Sequence, residues 1–179
     1  MNTIQKTLHG EKGLVAGMRA CLAGQYIAST LVLAYSLIDI LASLSLSPGR
    51  DEVTGRDFAE WADKYVVPAG SPECTGADLY AARCGVLHSL TPDSRMSRRG
   101  EATRIVYSWG VKRPYPRQKL EQHGIGYVML HVDTLCAAID EAAATFWKEI
   151  EGNPERLALI NGRADRLLRN VTQLPEMLP

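Results

Sequence analysis

Apolar side chains recur at helical spacing along most of the chain. From Lys12 to Leu46, the positions Leu14, Met18, Leu22, Ile27, Leu31, Ala34, Leu37, Ile38 and Leu41 predict one long helix or two in tandem. This stretch is apolar on more than one stripe, so it belongs near the middle of a bundle. Ser47, Pro48 and Gly49 stop it. Thr54 and Asp57 have the form of a capping box, and Phe58, Trp61, Ala62 and Tyr65 then share one helical face. Pro68, Gly70 and Pro72 are expected to end that helix. Thr75 and Asp78 repeat the start signal for a third helix, about 76–90, which Thr91 and Pro92 terminate.

The pattern changes between Asp93 and Val132. Residues 104–109 and 127–132 are rich in β-branched and aromatic side chains and read as strands, paired as a small β-hairpin with a long basic loop. Helical spacing returns with Leu135, Ala138, Ile139, Ala142, Phe146 and Ile150, with Asp133 as the expected N-cap. Gly152 and Asn153 break this helix. Pro154 opens a last one, to about Val171, with Leu157, Ile160, Ala164, Leu167 and Leu168 inward. The expected fold is therefore mainly α, in a single domain over 1–179. Its core is about 12–171 and its β-hairpin insertion about 93–132.

One stretch has to be weighed against a membrane. Ala20 to Ile38 holds 19 consecutive uncharged residues, close to the roughly 20 that span a bilayer. Gln25, Tyr26, Ser29, Thr30, Tyr35 and Ser36 dilute it, Gly24 interrupts it, and Asp39 follows before the apolar run ends. A carboxylate in hydrocarbon costs roughly 2.5–3.5 kcal/mol. A buried core helix is expected, and no membrane span.

Composition narrows the classes. The 179 residues are 46% hydrophobic and 22% charged, with 20 basic and 20 acidic side chains, as in an ordinary globular domain. This excludes disorder and a strongly basic chain, but not a local patch. The four cysteines (Cys21, Cys74, Cys84 and Cys136) and the histidines His9, His88, His123 and His131 show no zinc-ligand spacing. No metal, no cofactor and no disulfide are expected. The polar first twelve residues lack a signal-peptide pattern, and the expected location is cytoplasmic. Phosphate-loop, dinucleotide-binding and hydrolase-elbow motifs are absent from the sequence.

Charge is uneven. Between Asp93 and His123 stand eight basic residues and three acidic ones. Arg95, Arg98 and Arg99 are suited to track a phosphate backbone. Tyr107, Trp109 and Tyr115 are suited to stack on bases.

The third helix carries Arg83, then four residues, then His88. Preceded by a long apolar helix, a loop and a capped start, this pair resembles the R-x4–6-H signature of the HEPN superfamily. That resemblance, over about Lys12 to Val171, implies a helical bundle of four to five helices, often a homodimer. It also implies activity in many members as a metal-independent endoribonuclease, with a protein partner in some. It carries over Arg83 and His88 as catalytic residues. The polar residue usual after the arginine is here Cys84.

The chemistry is independent of the resemblance. Metal-free RNA cleavage needs a proton carrier, for which His88 is suited, and a fixed cation for the phosphorane charge, for which Arg83 is suited. Five residues apart, the two are offset by about 140° around the helix. The other reading is structural. Asp39 is the sole charge between Ala20 and Gly49, so it needs a partner, and Arg83 is the expected one. The protein is then a non-catalytic helical interaction or scaffold module. Both readings stand at this point.

Overall fold

Two helices in tandem fill the first apolar stretch. In the computed structural model, which describes residues 3–70, 73–111, 117–124 and 126–164, a short α1 (Thr3–His9) precedes α2 (Leu14–Ala23) and α3 (Ile27–Leu44). The break falls at Gly24, Gln25 and Tyr26, where Gln25 takes a left-handed φ of 59°. α3 is the central element: Leu31, Ala34, Tyr35, Leu37, Ile38 and Leu41 are all buried. It packs against α2, α4 (Gly55–Gly70), α5 (Gly76–Ser89) and α8 (Val132–Glu151). By length and a mean hydropathy of 1.9 it resembles a membrane span, but half of it is buried inside the protein.

α4 begins at the expected box. The backbone N–H of Thr54 donates to Asp57 at 2.9 Å and that of Asp57 to Thr54 Oγ1 at 3.3 Å. The helix does not end at Pro68 but runs through it to Gly70. Pro68 forgoes the bond to the Lys64 carbonyl and crowds it, a local cost that the packing of α4 against α8 and α5 outweighs. α4 and α8 meet through an aromatic cluster, with Tyr65 edge-on to Phe146 at 5.9 Å and Trp61 4.9 Å from Tyr65.

After α5 come a single-turn α6 (Arg95–Arg98), β1 (Arg104–Ser108), α7 (Arg117–Gln122) and β2 (Tyr127–His131). The two strands pair Arg104 with Tyr127 through Ser108 with His131, and they are parallel, not a hairpin. Parallel neighbours need a crossover longer than a tight turn, and the connection that contains α7 supplies it. β2 leads straight into α8. His131 therefore takes the N-cap position, and Asp133 sits in the first turn instead of capping it.

α9 (Pro154–Ala164) starts where Asn153 Oδ1 accepts the N–H of Arg156 at 3.1 Å. Ile160 is buried and Leu157 packs against the core; Leu167, Leu168 and Val171 lie outside the described residues. Arg163, in the last turn, donates to the carbonyls of Leu44, Leu46 and Ser47 at 2.8–3.0 Å and to those of Ser43 and Arg50 at 3.2–3.4 Å. Its cation thus covers the carbonyl end of α3, where the helix dipole favours it.

The fold is mainly helical with a small parallel sheet. Two contacts fix β1 in place. Asp78, buried at the start of α5, accepts the N–H of Thr75 at 2.9 Å and also that of Thr103. The Tyr107 and Tyr35 hydroxyls lie 2.6 Å apart.

Candidate functional site

α5 carries the motif, and local chemistry sets both of its ends. Thr75 and Asp78 form a reciprocal capping box. At the other end Leu90 adopts a left-handed conformation, φ 50°, while the Thr91 N–H donates to the Gly85 carbonyl at 3.3 Å. A Cβ on Gly85 would collide with the Thr91 carbonyl oxygen, so only glycine lets this loop fold under the helix.

Arg83 faces α3. Its Nε donates to Asp39 Oδ2 at 2.8 Å, with the side chains 23% and 19% exposed. This is the partner anticipated for a lone carboxylate in an apolar stretch. Partial burial works against the guanidinium charge. The hydrogen bond and charge of Asp39, and a contact with the Cys84 thiol, outweigh it and hold Arg83 above its ordinary value. Burial, followed by Cys84, likewise raises Tyr80. Asp39, Tyr80, Arg83 and Cys84 are thus one polar cluster on the α3–α5 seam.

His88 is elsewhere. It lies exposed in the last turn of α5 and bonds to no described residue. The structure brings Arg83 to Asp39 and not to His88, consistent with the angular offset between the two.

α6 begins with a reciprocal cap between Ser94 and Ser97. Arg95 and Arg98 are exposed on it, as is Arg99 at its C-cap. Arg99 is 3.7 Å from Glu101, both about half exposed, whereas Arg95 and Arg98 form no ion pair with a described residue. Beside the C-terminal side of α6 is a polar hollow of about 630 Å³, lined by Ser97, Gly100, Thr103, Arg104 and Tyr127 among others.

The aromatic candidates separate. The Tyr107 hydroxyl is paired with that of Tyr35 and the side chain packs, partly buried, against the core, so it is not free to stack on a base. Trp109 is half exposed. Tyr115 lies outside the described residues. Among those residues no group of three or more His, Cys, Asp or Glu is arranged to hold a metal, and the four cysteines are free thiols.

The sequence reading missed one feature. At the end of the molecule where α3 begins and α5 and β1 finish, an apolar groove of about 320 Å³ opens between Ile27, Leu31, Val86, Leu90 and Trp109. The signal available in the sequence was the lack of charge in three separate stretches, but nothing in it showed that they converge.

Compared with known proteins, the chain matches no family model, no curated protein and no solved structure. The functional reading therefore rests on the site itself.

Proposed function

We propose that this protein is a HEPN-like RNA-binding domain in which the α6 arginines hold the phosphate backbone and Arg83 serves the fold. The contrast between two sets of arginines carries this reading. Arg83 is committed to Asp39, while Arg95 and Arg98 stand exposed without an ion pair among the described residues. Unneutralised arginines at a surface suit phosphate, which a guanidinium fork binds through two nitrogens.

A second reading, a metal-independent endoribonuclease, is favoured by one detail. The bond to Asp39 uses Nε and does not itself occupy the terminal fork of Arg83. Asp39 would then be a positioning residue, with His88 exposed as proton carrier. A homodimer through α5, as the resemblance implies, would supply the missing convergence of Arg83 and His88.

One experiment separates the readings. Single-stranded and structured RNA are incubated in EDTA with wild type, His88→Ala and a triple Arg95, Arg98, Arg99→Ala variant. We expect RNA binding without cleavage, and a weaker, less salt-dependent complex with the triple variant. The log–log slope should fall by about 0.7 for each single-strand phosphate that the protein no longer neutralises. Cleavage by wild type that is absent from folded His88→Ala would establish the endoribonuclease instead. Absence of binding would overturn both readings and favour the non-catalytic interaction module.

A further inference from the structure

Residues 20–38, 84–92 and 105–111 contain no Asp, Glu, Lys or Arg. Remote in sequence, these stretches meet at one end of the fold, around the apolar groove. From them project Tyr26, Leu90, Trp109 and Val111, at 68, 68, 51 and 100% exposure, the large apolar side chains most open to solvent among the described residues.

The bounding charges are organised. Asp39 and Asp93, the acids that close the first two stretches, are both neutralised within the protein, by Arg83 at 2.8 Å and Arg104 at 2.6 Å. The next charge after Asp93 is Arg95, which has no ion pair with a described residue. A surface approaching this end meets apolar side chains first, no unpaired bounding carboxylate, and the Arg95 cation behind.

We infer that this end is a docking tip for the surface of a bilayer containing anionic phospholipid. Trp and Tyr rings with one polar atom settle at the headgroup level, and Leu and Val reach slightly deeper. The tip is built from turns whose backbone groups need water, which limits it to the interface. α3 itself does not cross, because only its first turns reach the tip and half of the helix is packed inside. Arg95, the first charge after Asp93, adds attraction to anionic headgroups.

Size favours lipid over a protein surface. A stable protein interface takes about 800 Å² and 20–30 residues from each partner. Leu90 and Trp109 line the groove, and Tyr26 and Val111 stand next to its lining residues in sequence or close to them; four projecting side chains fall far short of that number. Leu90 occupies a left-handed position that glycine or asparagine fills more easily, so the local backbone does not call for an exposed leucine there, and its presence supports a contact made by this tip. The apolar contacts are independent of the RNA reading, since none of the four projecting residues lies on α6; the attraction to anionic headgroups shares Arg95 with it.

The test uses the full chain and vesicles of phosphatidylcholine with or without phosphatidylserine. Co-sedimentation and tryptophan emission are the readouts; Trp61 and Trp147 are buried, so Trp109 reports the tip. We expect partition into the phosphatidylserine vesicles with a blue shift of Trp109. A Leu90→Asn, Val111→Ser variant keeps Trp109 and should partition about tenfold less. Its circular dichroism and RNA binding should stay unchanged, which separates loss of the tip from loss of the fold. Absence of partition, or equal partition of the variant, would overturn the inference. So would equal partition into phosphatidylcholine alone. Concentration-dependent dimerisation abolished by the same variant would overturn it in favour of a second copy.

Discussion

Trp147 donates its indole N–H to Nε2 of His9 at 2.9 Å, and that bond fixes the protonation state the fold accepts. Burial pushes His9 below its ordinary 6.5, Asp140 pulls the other way, and Arg19 adds to the depression. Protonated His9 has no lone pair to accept from Trp147. The native state therefore binds this proton less readily than the unfolded chain. His9 contributes stability that is fully present above about 6.5 and falls away as pH drops through its lowered native value. Urea unfolding of wild type should weaken more between neutral pH and pH 5 than that of His9→Gln, which offers an acceptor that does not titrate.

Asp39→Ala should destabilise the protein by about 2–3 kcal/mol. Removing one partner strands Arg83, but both side chains keep some water, so the cost is below the roughly 3–5 kcal/mol of a fully buried pair. The double replacement Asp39→Leu, Arg83→Met should recover much of that stability. Equal destabilisation by the single and double changes in denaturant titrations would show that stranded charge is not the cause.

Leu90→Asn should stabilise by up to about 1 kcal/mol, because asparagine tolerates the left-handed region that leucine resists. The midpoint of thermal unfolding should rise. The same change should weaken vesicle binding, so stability and docking move in opposite directions.

Gly76→Ala should cost about 2–3 kcal/mol or more. Its Cβ would run into the carbonyl oxygen of Ala59, so α5 must move away from α4. Gly162→Ala, with nothing within 4 Å, should be neutral or slightly stabilising and serves as the control.

Much of the helical frame was legible because its signals are local. Thr75 with Asp78 marks the start of α5, and the isolation of Asp39 pointed to Arg83. The sheet was legible as two strands but not in direction: alternation of side chains is the same in parallel and antiparallel pairs, and only the crossover decides. Pro68 misled because a local proline signal does not include the packing that carries α4 on to Gly70. Asp133 misled because β2 runs into α8 without a linker, which moves the cap to His131. For the candidate site, sequence spacing placed Arg83 and His88 on one helix but not which neighbour each would face. The apolar tip is assembled from three remote stretches, so no local window contains it.

Arg163 makes one part of this fold wait for another. The carbonyls it covers begin at Ser43, 120 residues earlier in the chain. As the chain leaves the ribosome, α3 is made long before that guanidinium exists, and its last turn is held by water until α9 docks. The end of the central helix is therefore among the last places to set during synthesis. A protease cut between α8 and α9 would be felt there, far along the chain from the severed bond.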